Sequence, residues 1–281
     1  MDGLEFKKLG KSDVEIPVLG LGTWGIGGFS NRHLGGEEKD VKALRLGLEL
    51  GMRFLDTAEM YASGHSEEVV AMAVEDQRED VFIATKVSAE NLSHELVIRS
   101  CEASLKRLKT NYVDLYQVHW PNSRIPIADT MRAMEKLADE GKIRAIGVSN
   151  FSVEQTRQAQ EALSKHSLAS NQVEYSLVER SVEEDLLPYC AKERVTMIAY
   201  TPIARGHISD GGRGERWQIL DSIASKYGKT RTQVALNWLI CKDPVVAIPK
   251  AGKPEHVREN AGSVGWALKK EDQDALGKAF K

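Results

Sequence analysis

Four side chains able to do acid–base chemistry recur at one level of this chain. Asp56 ends the hydrophobic pair Phe54-Leu55 within Gly51-Met52-Arg53-Phe54-Leu55-Asp56-Thr57-Ala58-Glu59-Met60-Tyr61, and Tyr61 lies a few residues further on. Lys86 closes the run 81–85, and His119 closes the run 113–118. A charge where a hydrophobic run stops must be paired, solvated or used. Taken singly, an Asp after a strand is a turn former, a Lys is surface and a His before Trp-Pro is a loop residue. Taken together they sit at the C-terminal ends of three successive strands, which converge on one face in a parallel α/β fold. A buried Lys86 beside Asp56 stays charged, and an ammonium near Tyr61 favours phenolate, so the expectation is a phenol pKa drawn from about 10 towards neutrality. Such a phenol can give a proton to a carbonyl oxygen and recover it from an alcohol, while a neutral His119 orients that oxygen. This serves carbonyl reduction. No protein side chain donates hydride, so a cofactor is implied.

The elements that must hold these residues alternate. Residues 4–9 and 14–18, joined by a turn at 10–13, read as a hairpin closing one end of the core. Strands begin near 18, 53, 81, 112, 143, 169, 195 and 245, each followed by a helical segment. Helices are expected over 37–49, 66–77, 93–108 (with Leu96, Val97, Cys101, Leu105 and Leu108 inward), 127–140, 183–194, 215–227, 254–261 and 271–280. Ser152-Val153-Glu154-Gln155 and Thr230-Arg231-Thr232-Gln233 read as capping boxes opening two more. A glycine-rich loop (25–36) carries Phe29 and His33, and a longer insertion spans 201–213. Eight βα units in 281 residues argue a (β/α)₈ TIM barrel with an N-terminal β-hairpin, one domain over 1–281. A doubly wound open sheet is the alternative.

Composition narrows the partners. At 42% hydrophobic, 28% charged and net charge −3, the chain offers no basic patch for nucleic acid and no attraction to a membrane surface. No apolar run approaches a membrane span, and the first residues lack a signal peptide's pattern. Cys101, Cys190 and Cys241 fit neither a disulfide framework nor a zinc spacing, and the seven histidines are scattered. The expectation is a cytoplasmic protein with no metal site.

Gly20-Leu21-Gly22-Thr23-Trp24-Gly25 matches G-x-G-x-x-G. That motif needs a helix N-terminus at the glycines, aimed at a pyrophosphate. Here the glycines run into Gly27-Gly28-Phe29-Ser30-Asn31, so the Rossmann reading fails. Gly20 and Gly22 read instead as a strand end passing close to something bulky.

An ordered set of blocks runs along the chain. The first is residues 51–58 with Tyr61 and Glu67; then come Lys86 after Ile83-Ala84-Thr85, and His119 in Gln117-Val118-His119-Trp120-Pro121. Ile146-Gly147-Val148-Ser149-Asn150-Phe151, Asn171-Gln172-Val173-Glu174-Tyr175, Ala199-Tyr200-Thr201-Pro202-Ile203 and Ile248-Pro249-Lys250 follow in order. This set resembles the aldo-keto reductase family. The resemblance implies Tyr61 as proton donor, Lys86 and Asp56 as its tuning pair and His119 as the orienting group. It implies NADP(H), possibly NAD(H), bound across the barrel mouth. Ser149, Asn150 and Gln172 would hold the carboxamide, and Tyr200 would stack on the nicotinamide. Gly22, Thr23 and Trp24 would lie beside the coenzyme, with Thr201, Pro202, Ile203 and Gly206 along the pyrophosphate. Lys250, Ala251, His256, Glu259 and Asn260 would form the adenosine end. Trp24 and Trp120 are the expected pocket walls for a small carbonyl or alcohol substrate.

Two departures concern the coenzyme. Ala251 stands where a serine or threonine often follows the lysine, and His256 where an arginine is usual. Both weaken the expected grip on a 2′-phosphate, so the preference for NADPH should be modest and pH-dependent. The resemblance leaves a second reading, a coenzyme-binding regulatory subunit with little turnover. Neither the physiological substrate nor the oligomeric state is fixed by these residues.

Overall fold

The computed structural model describes residues 5–281. Leu4, assigned to the hairpin from the sequence, lies outside them. The hairpin pairs β1 (Phe6–Lys8) with β2 (Glu15–Pro17) in antiparallel register. Its turn brings Gly10 against Ala169: a Cβ on Gly10 would stand 2.8 Å from the Ala169 carbonyl, and its φ of +61° favours glycine as well.

Eight parallel strands follow: β3 (Leu21–Gly22), β4 (Phe54–Asp56), β5 (Phe82–Val87), β6 (Leu115–Val118), β7 (Ile146–Ser149), β8 (Leu168–Glu174), β9 (Thr196–Tyr200) and β10 (Val245–Ala247). Each pairs with its chain neighbour. A parallel bridge from Leu19 to Ala247 closes the sheet, with Gly20 N donating to Ala247 O and Ala247 N to Val18 O. The barrel expected from the sequence is therefore formed, and the open sheet is excluded. The strands are shorter than the hydrophobic runs suggest. β6 starts at Leu115, with Val113 contributing only an isolated bridge to Ile143.

The helices cover the outside. They are α1 (Glu37–Glu49), α2 (His65–Val74), α3 (His94–Leu108), α4 (Ile127–Asp139), α5 (Val153–Glu161), α6 (Leu186–Glu193), α7 (His207–Asp210), α8 (Glu215–Tyr227), α9 (Arg231–Ile240), α10 (Pro254–Ala261) and α11 (Lys270–Ala279). Both capping boxes are present, at Ser152 and Thr230. In α3 the buried stripe is Val97, Cys101, Leu105 and Leu108. Leu96, read as inward, is exposed, because it lies roughly 100–180° round the helix from the residues of that stripe. α6 begins three residues later than expected: Ser181–Glu183 forms a 3₁₀ turn first, and Pro188 suits only a first turn. The 201–213 insertion contains the single turn α7.

The barrel interior is filled from the hairpin end. Leu9 and Ile16 are fully buried against Phe54, Ala84, Leu115, Ile198 and Val246. Lys7 ties the hairpin down, its Nζ donating to the carbonyls of Ile240, Lys242 and Val245 at 2.7–2.8 Å. The apolar plug leaves the opposite, C-terminal mouth for polar groups.

Gly20 is where that packing is tightest: a Cβ would stand 2.6 Å from Phe54 Cδ1 and 2.7 Å from the Phe54 carbonyl. We expect Gly20→Ala to destabilise by about 1–3 kcal/mol through overpacking of the closing seam. Urea unfolding measures it, and an unchanged midpoint would show that the seam yields freely.

Candidate active site

The strand period of two decides what faces the mouth. Phe54, Ala84 and Leu115 fill one interior layer, and two residues later the same faces carry Asp56, Lys86 and Gln117. His119 directly follows β6, its amide bonded to the Val87 carbonyl. Three adjacent strands thus deliver three of the four expected residues.

Lys86 is wholly buried and its three donors all have acceptors. Nζ reaches Asp56 Oδ1 at 2.6 Å, the Thr57 carbonyl at 2.8 Å and Tyr61 Oη at 3.4 Å. Asp56 Oδ2 accepts from Gln172 Nε2 at 2.7 Å and Gln117 Nε2 at 3.4 Å. Burial works to lower the Lys86 pKa, but Asp56 and then Tyr61 overcome it, and the net shift is upward. The ammonium is therefore permanent at neutral pH.

The phenol departs from expectation. Burial raises the Tyr61 pKa, Lys86 opposes without cancelling it, and Asp56 adds to the rise. The lysine's charge is already balanced by Asp56, so its pull on the phenol is weaker than its distance suggests. Tyr61 is held protonated rather than poised near neutrality. His119 packs edge-on to the Tyr61 ring at 5.6 Å. Burial, and then the Lys86 charge, push its pKa down to about 3, so the imidazole is neutral. Its Nδ1 is buried with no hydrogen-bond partner among the described residues.

Tyr61 is placed by a strained turn. Ala62, Ser63 and Gly64 all have left-handed backbone, φ 49°, 53° and 85°. The glycine-rich loop pins this turn: Ala62 N donates to Phe29 O at 2.7 Å and Ser63 Oγ to Ser30 O at 3.1 Å. Behind it Glu67, also wholly buried, accepts from Arg107 Nε at 2.5 Å and Thr85 Oγ1 at 2.6 Å. Glu67, part of the first sequence block, is thus a buried brace next to Lys86. Asn150, Thr201, Ala204 and Arg205 are left-handed too, in the loops after β7 and β9. Non-glycine residues so held cost of order 1–3 kcal/mol each and persist where surroundings over-determine them.

The remaining expected residues fall into two groups. Ser149, Asn150, Gln172 and Tyr200 join the mouth by hydrogen bonds: Ser149 Oγ donates to Gln172 O, Asn150 Nδ2 to His119 O and Ser149 Oγ, and Tyr200 Oη to Asn150 Oδ1. Thr23 N donates to Asp56 O, and Trp24 packs edge-on to Tyr61 at 5.1 Å, with Phe29 beyond it at 6.0 Å. Trp24 and Trp120 are half exposed. Thr201, Pro202, Ile203 and Gly206 line the start of the insertion after β9. A Cβ on Gly22 would stand 2.9 Å from the Ile248 carbonyl and 3.9 Å from Lys250 Cβ, which sets Lys250 beside this strand end. The second group is the segment after β10, away from the hydrogen-bonded cluster. Ala251 packs with Ala43 and Val257, while exposed His256 stands 3.8 Å from Glu259.

Gln117, Phe29 and Arg107 were not assigned to the site from the sequence. Gln117 could have been, since it shares the Leu115–His119 face at a spacing of two. Phe29 and Arg107 reach the site only through tertiary contacts.

The donor set suits an extended dinucleotide. Amide and hydroxyl groups gather beside Tyr200, and Asn260 Nδ2, further along, is buried with no partner among the described residues. A buried amide left so costs about 1–3 kcal/mol, which a hydrogen-bonding ligand would remove. Among the described residues no cluster of His, Cys, Asp or Glu could hold a metal ion, and no helix is long and apolar enough to cross a membrane.

Comparison with known proteins agrees with this geometry. The model of the Aldo/keto reductase family matches residues 18–280. A methylglyoxal reductase of Escherichia coli is 39% identical over 95% of this chain and 92% of its own. A glyoxal reductase of Bacillus subtilis is 34% identical over 94% of this chain and 88% of its own. A thermostable aldo-keto reductase crystallised with the inhibitor epalrestat superposes with a TM-score of 0.93 at 41% identity, over 98% of this chain and 100% of that one. A Klebsiella pneumoniae aldo-keto reductase crystallised with NADPH gives 0.87 at 37% identity, over 99% and 95%. On sequence, fold and the ordered set of residues at its barrel mouth, this chain belongs to the aldo/keto reductase family.

Proposed function

We propose that this chain, acting as one unit over 1–281, reduces small aldehydes, ketones and dicarbonyls to alcohols, with Tyr61 as general acid and NADP(H) preferred over NAD(H). The observation that carries the reading is Tyr61 Oη at 3.4 Å from an ammonium locked to Asp56. Two relatives named for methylglyoxal and glyoxal reduction support a small carbonyl substrate. Structures of relatives with NADP and NADPH support the coenzyme.

When bound, the reduced nicotinamide supplies the hydride. Ser149, Asn150 and Gln172 would hold its carboxamide, Tyr200 its ring face, with Gly22, Thr23 and Trp24 alongside. Thr201 to Ile203 and Gly206 would follow the pyrophosphate, and Lys250, Ala251, His256, Glu259 and Asn260 the adenosine end. Lys250 and His256 are exposed cation and imidazole where a 2′-phosphate would lie, which favours NADPH by a modest margin.

The chain's own residues handle the proton. A phenol held protonated is a loaded donor at neutral pH. As negative charge grows on a carbonyl oxygen, Tyr61 Oη gives its proton to that oxygen, and Lys86 stabilises the developing phenolate. Neutral His119 can donate a hydrogen bond to the same oxygen without competing to protonate it. Gln172 and Gln117 fix the second Asp56 oxygen, so Asp56 cannot swing away from Lys86. Trp24 and Trp120 form the pocket walls and limit water at the reacting carbon.

Three outcomes are expected. Tyr61→Phe should lose about 10²- to 10⁴-fold in carbonyl reduction while still binding NADPH, as a general acid does when removed. Methylglyoxal turnover with a fluorescence titration of NADPH checks both halves, and near-normal turnover would place the acid elsewhere. Lys86→Met removes the cation and strands Asp56, so it should lose activity and also about 3–5 kcal/mol of stability. An unaltered thermal melt would contradict the buried pair.

The third concerns pH. The His119 pKa is depressed in the folded state, so the folded chain binds fewer protons than the unfolded one between about pH 6.5 and 3. Its contribution to stability is complete above about 6.5 and is lost as pH falls towards 3. The stability difference between parent and His119→Gln should therefore shrink by roughly 1.4 kcal/mol per pH unit across that window. A constant difference, from denaturation at several pH values, would show that His119 is not held neutral.

A further inference from the structure

One cavity lies well away from the barrel mouth. It occupies about 940 Å³ on the flank, between α6 and α11, with Trp238 of α9 and Phe280 among its walls. Of the lysines in its lining, Lys270, Lys278 and Lys281 are exposed, and only Lys242, just past α9, is partly buried.

Lys242 is partly buried, yet it pairs with no carboxylate. The only hydrogen bond of its amine among the described residues is to the Trp238 carbonyl at 3.2 Å, and its Nζ stands 3.1 Å from the centre of the Trp238 ring. Of the acids in the same lining, Glu184 is exposed and forms no ion pair with Lys242, and the other two are engaged elsewhere. Glu183 Oε2 accepts from Arg180 Nε and Nη2 at 3.1 and 2.5 Å, and Glu183 Oε1 accepts from Tyr175 Oη. Asp274 is taken by Lys270 at 2.9 Å. Arg180 moreover lies over the same indole, 5.1 Å from its centre, and brings a second positive charge. Cation beside cation, with no acid in contact, disfavours the ammonium. Burial, with Arg180 assisting and Glu183 opposing, pushes the Lys242 pKa down to about 7. Roughly half the amine is then neutral at pH 7, against about one part in 2,500 for an ordinary lysine. The cavity beside it admits a small organic molecule, and its Trp238 and Phe280 walls suit an apolar or aromatic one.

We propose that Lys242 is a covalent carbonyl-capture site, distinct from the barrel mouth, that condenses with small aldehydes entering this flank cavity. The Lys242 nitrogen lone pair attacks the aldehyde carbon and a proton moves from nitrogen to the former carbonyl oxygen, giving a carbinolamine. Loss of water then leaves an imine, with no net oxidation or reduction. To react, the amine must swing off the indole, a change of side-chain rotamer only.

The test uses benzaldehyde with cyanoborohydride, which delivers hydride to the imine carbon and fixes the adduct as N-benzyl-lysine. Coenzyme is withheld, so the barrel-mouth reaction cannot consume the aldehyde, and the result does not depend on the function proposed for that site. Peptide mass mapping of the full chain at pH 7 should find Lys242 modified at least about tenfold faster than exposed Lys253 and Lys269. The lower nucleophilicity of a less basic amine is allowed for in that figure. The Lys242 rate should level off above about pH 7, while the exposed lysines continue to accelerate. Lys242→Arg, which has similar length but no amine able to form the imine, should remove the fast site and leave the others unchanged. Labelling of Lys242 no faster than Lys253, or a rate still rising at pH 9, would overturn the proposal.

Discussion

The buried contact between Lys86 and Asp56 is the constraint around which the rest of the mouth is arranged. Taking an ammonium and a carboxylate out of water costs several kcal/mol per ion, and their attraction offsets this only when every remaining donor and acceptor is satisfied. The structure meets that demand with unusual completeness. Lys86 has three acceptors, and Asp56 Oδ2 has two amide donors from β6 and β8, strands on the far side of β5. The pair itself joins neighbouring strands, β4 and β5, but because those amides come from separate strands it is fully satisfied only when the barrel is in register. The charge that serves Tyr61 therefore also reports correct assembly of the sheet.

The same economy explains the strain around it. Tyr61 must leave β4 and return its phenol over Lys86 within a few residues, and regular backbone cannot make that reversal. Consecutive left-handed residues can, at a cost met by contacts from two directions. The Phe29–Ser30 backbone holds the turn from the solvent side, and the Glu67–Arg107–Thr85 brace holds it from behind. Gly64 shows how little slack remains, since a Cβ there would stand 2.6 Å from Arg107 Cδ. Left-handed Asn150 and Thr201 likewise end β7 and β9 abruptly, and the Asn150 side chain turns across the mouth to His119, Ser149 and Tyr200.

What could be read from the sequence follows from which interactions are local. Strand–helix alternation, the two capping boxes and the placing of Asp56, Lys86 and His119 at strand ends depend on neighbours in the chain, and they were legible. Gln117 obeyed the same period of two but lacked a charge to draw notice. Strand lengths were overestimated because a hydrophobic run continues into barrel-end packing where ladder pairing has stopped, as at Val113. The direction of the Tyr61 shift could not be read at all. It depends on how far Asp56 has already neutralised Lys86, and on a depth of burial created by Trp24 and His119 from other parts of the chain. Spacing places an ammonium near a phenol, but only the assembled site says which of burial and charge prevails.

Three buried or half-buried lysines show how one physical problem takes three outcomes in this fold. Burial alone lowers an amine's pKa, because the neutral form needs less solvation. Lys86 escapes by meeting a carboxylate, and its pKa rises. Lys7 meets three carbonyl dipoles and no carboxylate in contact. It is pushed down to about 8, its donors fully used in fastening the hairpin. Lys242 meets one carbonyl and a rival guanidinium, and falls further, to about 7. The ordering tracks the partners in hand rather than depth, since the most buried of the three is the most basic. A lysine's office in this barrel, whether electrostatic anchor, structural tie or nucleophile, is thus set by what its neighbours leave unsatisfied. At Lys242 that depends on Glu183, whose two oxygens are held by Tyr175 and Arg180 and so are withheld from the amine beside them.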